Sequence, residues 1–204
     1  MSIRDITANP VDRRAGFERV TKETRISGLI DLDDVGGTNR ISTGVGMLDH
    51  MLDALATHGR FRLDIEAQGD LHVDDHHVVE DSAIVLAGLL REVLGDRTGI
   101  ERFGWSMVPL DEALSRVSVD LVSRPSASID LGLNRPTIGD LAAENAVHFL
   151  ETLALTTPFT LHVKVIEGRN DHHRLESAFK SLAIAMRSAW RPGSSSTSTK
   201  GTLT

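Results

Sequence analysis

The sequence predicts an α+β fold made of two duplicated halves. Residues 50–56 align with residues 148–154 at a spacing of 98. Beyond the strand that follows, the spacing falls to 96, and the apolar stripe of residues 79–93 lands on residues 175–189. Both halves alternate strand and helix periodicities in the same order, which indicates one pseudo-symmetric domain.

The first half opens with a predicted strand over residues 24–34. Apolar and polar positions alternate there with the period of a half-buried strand. Gly36-Gly37 is a turn signal, so residues 38–43 are expected to return as the hairpin partner. Residues 1–16 mix polar, charged and turn-forming side chains and are predicted to form a loose arm.

Two helices and a strand complete the predicted first half. Residues 47–57 carry apolar side chains at helical spacing, with Gly59 beyond them as a stop. Alternation over residues 61–67 predicts a strand. The Asp74-Asp75 pair offers an N-cap for a second helix, whose apolar stripe ends at Gly95.

The second half repeats the pattern after a predicted polar loop over residues 95–104. Asn170 or Asp171 is expected to cap the last helix, and Pro192-Gly193 is expected to stop it. The predicted elements are strands at 113–122, 127–131 and 159–165, a helix at 142–155, and a final helix over the stripe of residues 175–189.

These elements divide the chain into four parts. The arm covers residues 1–16, the first half 17–98, the second half 99–192 and a C-terminal tail 193–204. The two halves are expected to form one domain. The tail is rich in Ser and Thr, a composition typical of flexible segments.

Composition excludes several classes of function. The 204 residues are 40% hydrophobic, enough to bury a sizeable core. Cysteine is absent, which excludes disulfides and thiolate metal sites, so any metal must be held by nitrogen and oxygen. The formal net charge of −7 argues against nucleic-acid binding. No signal-peptide pattern and no run of roughly 18 apolar residues is found, so we expect no membrane contact and a cytoplasmic location.

The residues that carry chemistry are histidines at duplicated positions. Asp75-His76-His77-Val78-Val79-Glu80 recurs as Asp171-His172-His173-Arg174-Leu175-Glu176, at the start of a predicted helix in both halves. In each copy the Glu lies one helical turn from both histidines, so all three side chains project near the helix N-terminus. The candidate metal ligands are His50, His76, His77, Glu80, His148, His172, His173 and Glu176.

An alternative is that each Asp-His-His segment only caps a helix. Two copies, together with the matched pair His50 and His148, argue against it. The histidines without a duplicated partner, His58, His72 and His162, are interpreted as surface or hydrogen-bonded residues.

The eight candidates suffice for two metal ions. Adjacent residues on a helix point about 100° apart, so we predict that His76 and His77 serve different ions, as do His172 and His173. Six His and two Glu give about four ligands per ion, which leaves positions open for substrate and water. Imidazole with carboxylate suits transition metals from Mn to Zn, and the pairing of ligands to ions stays open.

Lys180 adds a positive charge one helical turn after Glu176. Its counterpart in the first half is Ile84, so the duplication is broken at this position. Two interpretations remain: an ion pair on the helix face, or a ligand for a phosphate group.

Seven phrases of the sequence resemble the imidazoleglycerol-phosphate dehydratase family. They follow the family's order and spacing from about Arg19 to the C-terminus, and their combination is much more specific than any one alone. The phrases are Leu48-Asp49-His50-Met51-Leu52, His76-His77-Val78-Val79-Glu80-Asp81, Gly99-Ile100-Glu101-Arg102-Phe103-Gly104, Pro109-Leu110-Asp111-Glu112-Ala113-Leu114, Asp171-His172-His173-Arg174-Leu175-Glu176, Phe179-Lys180 and Thr199-Lys200-Gly201.

The resemblance implies a hydro-lyase of histidine biosynthesis with two Mn²⁺ ions per active site. It would convert imidazole glycerol phosphate to imidazole acetol phosphate, with the eight candidates as metal ligands and Glu23 as the acid/base carboxylate. The implied fold has two mostly antiparallel four-stranded sheets flanking a layer of helices. The residues implied to hold the phosphate are Arg102, Arg124, Lys180, Ser198 and Lys200, which would order the tail around the ligand.

The resemblance also implies a homo-oligomer of 24 chains with active sites at subunit contacts, and a small phosphorylated imidazole as substrate. Two alternatives stay open from the residues themselves. A dinuclear metal phosphoesterase would use the same metals and cations. A metal-storage or metal-sensing protein would bind the ions without acting on a substrate.

Overall fold

The computed structural model of the chain describes residues 3–9 and 13–193. The predicted tail, with Ser198 and Lys200, lies outside these ranges except for Gly193. The elements are β1 (Ile3–Asn9), β2 (Arg14–Val20), β3 (Thr24–Asp31), β4 (Arg40–Ser42), α1 (Gly46–Gly59), β5 (Arg62–Gly69), α2 (His76–Leu94), β6 (Phe103–Leu110), β7 (Ala113–Asp120), β8 (Ser126–Asp130), β9 (Thr137–Ile138), β10 (Leu141–Ala142), α3 (Ala143–Thr156), β11 (Thr160–Glu167) and α4 (Asp171–Ala189).

The longer strands form two sheets. The first has the order β1-β2-β3-β5-β4 and the second the order β6-β7-β11-β8, while β9 and β10 form a separate ribbon. Neighbouring strands are antiparallel, except that β4 runs parallel to β5 and β8 runs parallel to β11. The predicted α+β fold with two mostly antiparallel sheets is confirmed, and β1 adds a fifth strand to the first sheet.

The helices pack between the sheets and join the two halves. Helix α2 lies on β2 and β3, and α4 lies on β6 and β7. Each helix also packs against a helix of the other half, α1 against α4 and α2 against α3. Phe149 of α3 and Phe179 of α4 meet in the core with ring centroids 5.9 Å apart. Buried apolar residues of both halves belong to one continuous core.

Element lengths and strand register confirm the internal duplication. Helices α1 and α3 both have 14 residues, and α2 and α4 both have 19. Val20 faces Arg25 in the β2–β3 hairpin, and Pro109 faces Leu114 in the β6–β7 hairpin. The two hairpins are therefore equivalent at a spacing of 89 residues.

Two sequence predictions about the first half are wrong. Residues 3–9 form β1, which pairs with β2, and so are not a loose arm. Residues 38–43 do not return as a hairpin partner of β3. Strand β3 already has β2 on one edge and β5 on the other, so β4 pairs with the free edge of β5.

The apolar periodicity of the sequence does not predict strand β6, because the predicted polar loop extends to Gly104. The strand begins at Phe103, and its pattern is inverted because large apolar side chains point outward. Small residues face the helices instead. A Cβ atom at Gly104 would collide with the backbone carbonyl of Ala185 in α4, and Ser106 Oγ contacts Ser181 Oγ at 2.6 Å. Strand β6 therefore packs against α4 through close approach of the two backbones and not through large buried side chains.

The helix that ends the second half begins as expected. Asn170 accepts a hydrogen bond from the backbone N–H of His172 at 3.0 Å and is the N-cap of α4. At the start of α2, Asp74 accepts the equivalent bond from the backbone N–H of His76 at 2.9 Å. In the described ranges, no helix is long and apolar enough to cross a membrane.

Candidate metal centres

The first cluster of candidate ligands joins helix α2 to helix α3. Nitrogen and oxygen atoms of His76, Glu80 and His148 all lie within 4.8 Å of one another. His148 Nε2 is 3.2 Å from Glu80 Oε1. The rings of His76 and His148 stack with centroids 5.2 Å apart and an interplanar angle of 10°.

The second cluster joins helix α4 to helix α1 in the same manner. Glu176 Oε2 lies 3.3 Å from His50 Nε2 and 3.2 Å from His172 Nε2. The rings of His50 and His172 have centroids 5.4 Å apart. Each cluster therefore combines a His and a Glu on one helix with a His from the other half.

The donor sets fit a transition-metal ion. Protein ligands bind such ions at about 2.0–2.2 Å, so two adjacent ligand atoms are expected about 3 Å apart. The separations of 3.2 and 3.3 Å between the histidine nitrogens and the carboxylate oxygens meet that expectation. Two imidazoles and one carboxylate leave coordination positions open in each centre, as catalytic metal sites require.

An amide fixes one ligand of the first cluster. The Nδ1 atom of His76 lies 3.1 Å from Asn145 Oδ1, and Asn145 in turn donates to Asp75 at 2.8 Å. A histidine whose Nδ1–H is bound in this way presents Nε2 as its metal-binding atom. Sequence analysis missed Asn145, because it lies in α3 and becomes adjacent to His76 only through helix packing.

His77 and His173, the second members of the His-His pairs, join neither cluster. Asp70 Oδ2 is 3.0 Å from His77 Nδ1, and Glu112 Oε2 is 2.7 Å from His173 Nδ1. These hydrogen bonds raise the pKa of both histidines. The bond to His173, with the backbone N–H groups of Asn170 and Arg169, lowers the pKa of Glu112 to about 2. Sequence analysis missed both carboxylates.

Lys180 forms the ion pair that was one of its two interpretations. Its Nζ lies 2.7 Å from Glu176 Oε1, while Glu176 Oε2 faces His50 and His172. Burial opposes ionisation of Glu176, but the hydrogen bonds and positive charges of Lys180 and His50 together outweigh it and lower the pKa of Glu176. The carboxylate is therefore held in its charged form at the second cluster.

Glu23 lies at the exposed tip of the β2–β3 turn. Its backbone N–H is held by Thr21 Oγ1 at 3.1 Å, and no hydrogen bond or ion pair of its carboxylate is found among the described residues. After the dominant hydrogen bond that His77 donates to Asp70, the charge of Glu23 also helps to raise the pKa of His77. Glu23 is thus within electrostatic reach of one of the candidate ligands.

Two predicted phosphate ligands within the described residues, Arg102 and Lys180, lie far apart in one chain. Arg102 Nε donates to Asp120 Oδ1 at 2.7 Å, and its backbone N–H bonds Ala189 at the end of α4. Lys180 precedes Ala189 by nine residues, which is roughly 13 Å along a helix. Arg124 is exposed beside β8.

Residues 43–186 of the chain match the family described as imidazoleglycerol-phosphate dehydratase. Proteins of that name share 50% identity with the chain in Phytophthora nicotianae and 49% in Candida glabrata. The alignments cover 94% and 93% of this chain. The chain spans 42% of the length of the Phytophthora protein and 99% of the Candida protein.

Solved structures show the same fold. The imidazoleglycerol-phosphate dehydratase of Staphylococcus aureus superposes with a TM-score of 0.77 at 35% identity, over 87% of this chain and 98% of that one. A structure described as IGPD from Pyrococcus furiosus in complex with (S)-C348 superposes with a TM-score of 0.79 at 38% identity, over 91% of this chain and 99% of that one.

The two clusters predict two separable cation sites per chain. His148→Ala removes one ligand from the first cluster only, so the Mn²⁺ content should fall from about two ions per chain to about one, measured by elemental analysis after dialysis. His148 is partly exposed, and its removal opens no core cavity. The control His162→Ala alters an exposed histidine outside both clusters and should retain both ions. An unchanged metal content in His148→Ala would exclude His148 as a ligand.

Proposed function

The chain belongs to the imidazoleglycerol-phosphate dehydratase family, and from this premise we propose that it is a manganese-dependent hydro-lyase of histidine biosynthesis. It removes water from imidazole glycerol phosphate and forms imidazole acetol phosphate. The observation that carries the proposal is the pair of two-histidine, one-glutamate clusters, each assembled from both halves of the chain. Removal of water beside an imidazole ring requires groups that bind the ring nitrogens. A metal ion held by each cluster would supply one such group.

The metal ligands in this proposal are the eight candidates from the duplicated motifs. Mn²⁺ bound by these residues would favour loss of the ring N–H proton, and the anionic ring would then supply the electrons that expel the hydroxyl group from the adjacent carbon. Glu80 and Glu176 add one negative charge to each centre, which suits a divalent ion harder than zinc.

Glu23 is the proton-transfer group of the proposed reaction. Hydroxide leaves from the carbon beside the ring, and the carboxylate of Glu23 takes the hydrogen of the neighbouring carbinol carbon as a proton. The enol that results becomes the ketone when a proton returns to the carbon beside the ring. The exposed position of Glu23 and its lack of a carboxylate partner in the described ranges support this role.

Cations that hold the phosphate would keep the reacting carbon in front of Glu23. We infer that Arg102, Arg124, Lys180, Ser198 and Lys200 bind it, as the family resemblance implies. Arg102 is held by Asp120 and stacks over Phe103 at 4.4 Å from the ring centroid. Lys180 lies beside the second cluster. Because these two cations are well separated in one chain, the proposal requires contributions from more than one subunit.

A homo-oligomer of 24 chains with shared active sites would meet this requirement. Each cluster has three ligands from one chain, while His77 and His173 are partly exposed and join neither. The outward side chains of the edge strand β6 also support self-association. Phe103, Trp105 and Met107 are 47%, 73% and 55% exposed, and such a stripe of large apolar side chains is typical of an interface.

Glu23→Gln tests the proton-transfer role. We expect turnover by the Mn²⁺-loaded protein to fall by about 10²- to 10⁴-fold, the usual contribution of a general base, with metal content unchanged. Glu66→Gln, an equal charge change at an exposed position of β5, is the control and should keep full activity. Ketone formation from imidazole glycerol phosphate is the assay. Near-normal activity of Glu23→Gln would remove Glu23 from the mechanism, and release of free phosphate would indicate a phosphoesterase.

Metal removal should loosen the assembly, because ligands from different subunits would share each ion. Light scattering is expected to show a large particle that breaks into smaller species with EDTA and re-forms with Mn²⁺. An unchanged particle after metal loss has been verified by elemental analysis would contradict metal-dependent assembly.

A further inference from the structure

Two histidines outside the clusters are each held by a carboxylate on the same ring atom. His77 Nδ1 faces Asp70 Oδ2 at 3.0 Å, and His173 Nδ1 faces Glu112 Oε2 at 2.7 Å. A carboxylate only accepts hydrogen bonds, so Nδ1 carries the proton and the neutral ring has its lone pair on Nε2. The side chains are 42% and 27% exposed, which leaves them accessible from solvent.

The two carboxylates do not come from equivalent positions of the duplicated halves. Asp70 directly follows β5, and the equivalent position after β11 is Gly168, which has no side chain. Glu112 lies in the β6–β7 turn, and its equivalent in the β2–β3 turn is Glu23. Inheritance from a common half would have produced the same contact twice from one position. The contact between a carboxylate and Nδ1 is instead made from two different positions, after a strand in the first half and in a hairpin turn in the second.

We propose that Asp70 and Glu112 are positioning residues that fix the tautomer and ring direction of His77 and His173, so that each presents Nε2 to a metal ion. The proposal rests on the proposed function, which makes both histidines ligands. Carboxylates that orient metal-binding histidines through the second ring nitrogen are general in metal sites. Because Asp70 orients the histidine of the first half, Glu23 is not needed for that task and is available for proton transfer. Asp70 performs in the first half the task that Glu112 performs in the second.

The surroundings of Asp70 support a role beyond folding. Its Oδ1 atom is buried and has no hydrogen-bond partner in the described part of the chain. An unpaired buried carboxylate oxygen costs stability. Its presence at this position is explained if the other oxygen is needed to orient His77. Glu112 differs, because it also accepts backbone N–H groups of Arg169 and Asn170 at 3.0 and 2.8 Å, ahead of α4.

The test measures Mn²⁺ affinity of the full chain, following free Mn²⁺ by electron paramagnetic resonance. Asp70→Asn and Glu112→Gln should each weaken binding at one of the sites by about 10- to 100-fold, as loss of such partners does in other metal sites. Glu66→Gln makes the same chemical change at an exposed position of β5 and should bind Mn²⁺ like the parent. Parental affinity in both Asp70→Asn and Glu112→Gln would overturn the proposal.

Double variants separate positioning from a general effect on the fold. Asp70→Asn should have no further effect on Mn²⁺ affinity in a His77→Ala background, and Glu112→Gln none in a His173→Ala background. Effects that persist undiminished in those backgrounds would contradict positioning. If Glu112→Gln fails to fold, the Asp70 and His77 variants decide the matter alone.

Failure of this inference is distinguishable from failure of the proposed function. A parent protein that binds Mn²⁺ and forms no ketone would refute the function, while the affinity changes still test the positioning role. A parent that forms ketone, with variants of unchanged affinity, would refute the positioning role alone.

Discussion

The candidate site depends on the packing of each helix against a helix from the other half. Helix α2 carries His76 and Glu80, but their third partner, His148, comes from α3. Apolar side chains of all four helices are buried in one continuous core, which holds these pairs together. Burial of one large apolar side chain contributes about 1.5–3 kcal/mol, so the geometry of the metal centres is set by the core. Rigid helices also hold ligands in place better than loops do.

The duplicated Asp-His-His segments divide two tasks between neighbouring residues. Asp171 is buried at the start of α4 and accepts backbone N–H groups of Asn134 and Arg135 at 2.9 and 2.7 Å. Burial opposes its ionisation, but these bonds together with the charges of Arg174 and Arg135 outweigh that effect and lower the pKa of Asp171. Asp75 accepts the backbone N–H of Ala142 at 2.8 Å in the other half. In both copies the aspartate anchors a crossing segment, which leaves the histidines that follow free to bind ligands.

Sequence periodicity predicted the elements whose buried faces are apolar, and the internal alignment predicted the matched histidines. Periodicity did not predict β6, because Gly104 and Ser106 face the helices there and the large side chains face outward. The partition of ligands also could not be predicted. Whether His148 meets His76 or His172 depends on which helices cross, and the spacing of residues along the chain does not determine this. Asp70 and Glu112 were missed because their contacts join separate turns to helix starts.

The strand register gives a signal that the sequence alignment lacked. The histidine alignment relates residues 98 or 96 positions apart, whereas the hairpins are related at 89. Only the paired strands bring Glu23 and Glu112 into equivalence. The two turns then show how one duplicated carboxylate supports a histidine in one half and, among the described residues, has no hydrogen-bond partner in the other. Divergence between equivalent positions thus identifies residues whose roles have separated.

The central claim is that ligands from both halves converge on two cations. The most direct measurement is anomalous diffraction at the manganese absorption edge from crystals grown with Mn²⁺. The account predicts two peaks per chain, one within about 2.3 Å of donor atoms of His76, Glu80 and His148, and the other equally close to His50, His172 and Glu176. Peaks elsewhere, or a single peak bound by residues of one half alone, would contradict it.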